Sequence, residues 1–138
     1  MRSILILLAA VAAPAAAIAA GPTTFTVVMT PAVEVPGPGD AKASGTATLA
    51  FDSTKNQLCY TLTAAGGDTP NAAHVHKGAT GVAGPPVVML KAPATGSITE
   101  CTAVAPDVIT AILANPAGYY VNVHSAAFPK GAIRGQLK

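Results

Sequence analysis

Apolar and polar residues alternate with a period of two through most of the chain beyond residue 22. In "TTFTVVM", Phe25, Val27 and Met29 fall on one side and Thr24, Thr26 and Val28 on the other. "SGTATLAF" sets Gly45, Ala47, Leu49 and Phe51 against Ser44, Thr46, Thr48 and Ala50. "QLCYTLTA" sets Leu58, Tyr60 and Leu62 against Cys59, Thr61 and Thr63. A strand turns successive side chains to opposite faces. Such runs therefore predict antiparallel sheet with one face on a core and one in water.

The pattern breaks where turn residues gather. "PGPG" at residues 36–39, "DSTKNQ" at 52–57 and "AGGDTPN" at 65–71 read as loops or turns. "AAHVH" is a short strand with Ala73 and Val75 on one side and His74 and His76 on the other. A glycine-rich loop, "KGATGVAGPP", and the apolar strand "VVML" follow. "KAPATGSITEC" is polar and irregular, then extended up to Cys101. One segment has helical spacing: Pro106 and Asp107 suit a first turn, and Val108, Ile109, Ile112 and Leu113 form one face. Asn115-Pro116 ends it. "YYVNVHS" and "AIRGQLK" are the last strands. In them Val121, Val123, Ile133 and Leu137 point inward, and Asn122, His124, Arg134 and Gln136 point outward. About eight short strands, one short helix and closely spaced turns predict an all-β chain, an antiparallel β-sandwich or Greek-key barrel with one short helix.

The first twenty residues follow another logic. Arg2 precedes an apolar run from Ile4, and "AAPAAAIAA" supplies small residues in the A-x-A pattern. Residues 1–20 are expected to be a cleaved signal peptide and residues 21–138 the mature domain, secreted or periplasmic, with no transmembrane segment of its own. Without that segment the chain is roughly 45% apolar, ordinary for one globular domain. Cys59 and Cys101 are its only cysteines, an even count that in an exported chain points to one disulfide.

Charge excludes some functions. Eight Lys and Arg stand against six Asp and Glu, with no basic cluster and no Trp, so a nucleic-acid partner is not expected. No G-x-S-x-G elbow, phosphate loop or suitably paired acids occur, and no catalytic residue is assigned.

The three histidines carry the remaining chemistry. His74 and His76, two apart on a strand, share a face with Cα atoms about 6.5–7 Å apart. His124 lies on the corresponding face of a later strand. If the two strands are neighbours, the three rings meet, and neutral imidazoles suit copper or zinc. Asn122 and Arg134 would support the rings from behind. For a fourth ligand, Asp68, Asn122, a water or, for soft copper, Met89 remain open. A separation beyond about 8 Å between the His76 and His124 nitrogens would prevent one ion from joining them. The competing reading is that the histidines hydrogen-bond loop backbone and fix the glycine-rich turn.

"AAHVHKGATGVAGPPVV" and "NPAGYYVNVHSAAFPKGAIRGQL" closely resemble the CHRD domain, in the form found in exported bacterial proteins. The resemblance covers about residues 24–137, and the cysteines of "CYTLT" and "GSITEC" fit that form. It implies an exported β-sandwich acting as a binding module for an unidentified extracellular or periplasmic ligand, and no enzymatic activity. A weaker resemblance, to copper–zinc superoxide dismutase, implies a mononuclear copper site from His74, His76 and His124 with Arg134 nearby. The bridging histidine and zinc-loop ligands of that enzyme have no counterpart here. The alternatives to a non-enzymatic module are therefore a copper-dependent redox enzyme of superoxide-dismutase-like type and a purely structural extracellular module.

Overall fold

A computed structural model describes Ala15 and residues 20–138. The expected signal peptide, residues 1–20, lies outside the described residues apart from Ala15 and Ala20. Among the described residues no helix is long and apolar enough to cross a membrane.

Eight strands form two four-stranded antiparallel sheets. The first sheet, in the order β1-β2-β3-β6, contains β1 (Thr23–Met29), β2 (Ser44–Asp52), β3 (Gln57–Ala65) and β6 (Ser97–Ala103). The second, in the order β5-β4-β7-β8, contains β4 (Pro70–Lys77), β5 (Pro86–Leu90), β7 (Tyr119–Ser125) and β8 (Ile133–Gln136). The sheets do not close into a barrel. They meet along one seam, where Thr30 exchanges backbone hydrogen bonds of 2.9 and 3.1 Å with Arg134. Of the two predicted forms, the sandwich is therefore the one found.

The alternation in sequence explains the core. Val27, Met29, Leu49, Phe51, Leu58 and Leu62 of the first sheet are buried against Val75, Val121, Val123 and Ile133 of the second. Each such aliphatic side chain contributes about 1.5–3 kcal/mol relative to exposure. The one α-helix among the described residues, α1 (Pro106–Ala114), starts with Pro at its first turn and adds Ile109 and Ile112 to this core. A disulfide joins Cys59 and Cys101, which face each other directly across β3 and β6.

The chain crosses from the first sheet to the second through Gly66 and Gly67, both at positive φ. A Cβ on Gly67 would collide with the Asp40 carboxylate, so the crossing needs glycine for space as well as conformation.

One expectation fails. Over β7 and β8 the outward face of the second sheet is not wet. Every residue of β7 is buried, including Asn122 and His124, and Arg134 on β8 is only 1% exposed. Period-2 alternation assigns a side to each residue but does not say whether a loop then covers that side. Here loops do. Residues 78–85 are tied down by Arg134, whose guanidinium donates to the carbonyls of Val82 and Ala79, both at 2.9 Å. Gln136 Nε2 donates to Gly78 O at 2.7 Å. On the other flank, Asp40 N–H donates to Ala132 O at 2.9 Å and holds the 31–40 loop against the same sheet.

Candidate metal centre

β4 and β7 are neighbours, and their register places Ala72 opposite His124, His74 opposite Asn122 and His76 opposite Tyr120. All these side chains share the covered face. The three imidazoles lean together, with ring centroids 5.3 Å apart for His74–His76, 4.9 Å for His74–His124 and 6.1 Å for His76–His124. One nitrogen from each ring lies within 4.8 Å of the others, well inside the limit for a shared ion.

Backbone carbonyls fix the rings. Nδ1–H of His76 donates to Gly84 O at 2.8 Å, and Nδ1–H of His124 donates to Pro129 O at 3.0 Å. In a neutral imidazole this leaves each Nε2 with a lone pair. His124 Nε2 lies 3.0 Å from His74 Nδ1, and His76 Nε2 is buried with no hydrogen-bond partner. A metal-binding histidine typically has its second nitrogen held in this way, which sets the tautomer and the ring direction.

Electrostatics keep the rings neutral. Burial, then the nearby His124 and His76, pushes His74 down to about 4. Burial lowers His76 and His124 as well, against the opposing effect of their carbonyl partners. The cluster therefore presents nitrogen lone pairs rather than positive charge at neutral pH. Three imidazoles with no thiolate are a donor set for copper or zinc.

The supporting residues divide the work differently from the sequence expectation. Asn122 sits at the floor of the cluster, its Oδ1 3.0 Å from His124 Nε2. Arg134 has no hydrogen bond to the histidines. It lies 3.3 Å above the centre of the Tyr120 ring, and Tyr120 stacks on His76 at 4.7 Å with only 7° between the planes. Tyr120 Oη also accepts from Gly84 N–H at 3.2 Å. Arg134 thus reaches the cluster through a stacked tyrosine and through the loop whose Gly84 carbonyl orients His76. Met89 stands opposite His74 on β5, on the side of β4 away from β7, and is 62% exposed. Asp68 lies in the β3–β4 turn, its N–H bonded to Asp40. Neither joins the group of three.

Sequence reasoning missed two residues. Tyr120 carries no signal of its own in the sequence, although its place beside His76 follows once β4 and β7 are paired. Glu34 was passed over as part of a proline- and glycine-rich loop. It is buried, its Oε1 has no hydrogen-bond partner, and burial raises its carboxyl to about 7 despite the nearby Arg134, Val35 N–H and Asn122 amide. Gly131 makes room for it: a Cβ there would meet the carboxyl group. No local signal marks Glu34, because its neighbours are nearly a hundred residues away in sequence.

The chain matches the CHRD domain over residues 25–137 and belongs to that family. No curated protein and no solved structure matches it.

Proposed function

We propose that this chain is an exported, non-enzymatic binding module that holds one copper or zinc ion on His74, His76 and His124. The observation that carries this reading is the pair of loop carbonyls on His76 and His124. They take both Nδ1 protons and leave two Nε2 lone pairs, that of His124 lying 3.0 Å from His74 Nδ1, in a group whose three rings each offer a nitrogen within 4.8 Å of the others. An unsatisfied buried imidazole nitrogen is costly, and a bound cation removes that cost. Export is supported by the signal-like residues 1–20 and by the disulfide, which persists in oxidising compartments.

The test is direct. Mature protein is equilibrated with Cu(II) or Zn(II), dialysed and assayed for metal, beside a His74→Ala, His76→Ala double variant. One ion per wild-type chain and none in the variant is the expected result; equal uptake ends the reading. A second reading draws on the same carbonyl bonds, in which the rings only pin the two loops. It requires the melting temperature of the wild type to be the same with either metal or chelator. Superoxide turnover by the copper-loaded protein would move the assignment to a redox enzyme.

A further inference from the structure

The floor of the cluster is a cluster of hydrogen-bond acceptors. His124 Nε2 carries a lone pair, because its Nδ1 proton goes to Pro129 O. Asn122 Oδ1 nevertheless lies 3.0 Å from it, and the Nε2 of the neighbouring His76 is orphaned. His74 Nδ1 completes the set at 3.0 Å from His124 Nε2. One proton, on His74 Nδ1, can satisfy only one of these contacts. A cation in their midst satisfies all of them.

What turns the amide oxygen inward is on its other side. The side-chain amide of Asn122 lies beside the carboxyl of Glu34 and opposes the rise that burial gives it. That carboxyl is walled in by Gly39 and Gly131, where any Cβ would strike it or its stem. Arg134, a nearby cation, gives three of its five guanidinium hydrogens to the carbonyls of Ala79 and Val82 and to Gln136. Glu34 Oε1 has no hydrogen-bond partner, and the Asn122 amide is a polar neighbour beside it.

We propose that Asn122 Oδ1 is the fourth donor atom and that Glu34 is the positioning residue that holds it toward the ion. This deepens the reading of the three histidines and rests on it. An N3O set containing a neutral amide oxygen favours a divalent ion, Zn(II) or Cu(II), over Cu(I), which prefers soft donors.

The experiment measures Zn(II), Cu(II) and Cu(I) affinities by chelator competition for the full mature protein and for Glu34→Gln and Asn122→Ala, with paramagnetic resonance spectra of the Cu(II) forms. Both variants are expected to lose tenfold or more in Zn(II) and Cu(II) affinity, to keep Cu(I) affinity, and to share one altered Cu(II) spectrum. A generally loosened fold would weaken all three metals together and would not produce a common spectrum. Unchanged divalent affinities and spectra overturn the proposal while leaving the three-histidine site intact. No uptake by the wild type overturns both. A crystal structure of the zinc-loaded wild type checks the point without substitution. Oδ1 at roughly 2.0–2.2 Å from zinc, with the amide nitrogen on Glu34, is expected; the amide nitrogen facing the ion, or Oδ1 beyond about 3 Å, overturns the proposal.

Discussion

The two sheets of this sandwich use the same alternating code for opposite ends. On the first, the outward side chains include threonines in water, paired across strands, as in Thr46 with Thr63 at 2.7 Å and Thr61 with Thr99 at 2.9 Å. These hydroxyls need nothing from the protein, because solvent satisfies whatever the partner does not. On the second sheet the outward side chains include His74, His76, Asn122, His124 and Arg134, and over β7 and β8 loops close on them. Each buried polar atom there must find a partner inside the molecule or remain unsatisfied at a cost of about 1–3 kcal/mol. Backbone carbonyls satisfy the Nδ1 atoms of His76 and His124 and much of the Arg134 guanidinium, whereas His76 Nε2 and, in the covering loop, Glu34 Oε1 have no partner. Polarity on a strand face therefore marks function only where the fold removes water from it.

The first sheet offers the largest test of this division. Reducing Cys59–Cys101 frees a loop with a sequence separation of 42 and should cost about 4 kcal/mol in the chain-entropy model. Urea unfolding with and without reductant measures it. If the reduced, still folded protein also loses metal, the two sheets are not independent and the comparison breaks.

On the second sheet, Arg134→Met removes a buried cation that satisfies two loop carbonyls. The expected loss is about 3 kcal/mol, since hydrogen bonds to charged groups contribute about 1.5–3 kcal/mol each. Metal affinity should fall with it, because the 78–85 loop carries the carbonyl that orients His76. Calorimetric melting and metal titration on the same sample would show both effects.

Acid sharpens the contrast further, because the covered face contains groups of opposite sign. His74 is at about 4 in the fold against an ordinary 6.5, so its contribution is fully present above 6.5 and is lost as pH falls toward 4. Glu34 is at about 7 against an ordinary 4.5, so its contribution is present below 4.5 and is lost as pH rises through 7. Between about 4.5 and 6.5 the two oppose each other. In Glu34→Gln only the histidine effect remains, and the stability of the metal-free protein should climb with pH more steeply than in the wild type. Urea midpoints across that range give the answer.

The smallest effect belongs to the wet face. Thr61→Ala should change stability by no more than about 0.5 kcal/mol and leave metal binding untouched, as the same urea and metal assays would show.

The pattern of side chains made the strands, the inward faces and the pairing of His74 with His76 legible in sequence, because strand periodicity is local. The approach of His124 required only that two strands be neighbours. The burial of that face was not legible. It depends on loops 31–40, 78–85 and 126–132 folding back over β7 and β8, and a loop's direction is set by contacts remote in sequence. Arg134 illustrates the limit: its side of the strand was correctly assigned, yet it is one of the most buried residues in the chain. Glu34 was invisible for the same reason.

The rings of His76 and His124 are gripped by the main chain of Gly84 and Pro129 rather than by side chains. Replacements of the exposed side chains of these two loops, Val82 for instance, can accumulate without turning either imidazole, provided the peptide path, Gly84 and Gly131 are kept. Deleting or inserting a single residue there shifts a carbonyl by a whole peptide unit and lets the ring swing free. Loop length, more than loop composition, is what an engineer transplanting this cluster onto another sandwich would have to copy.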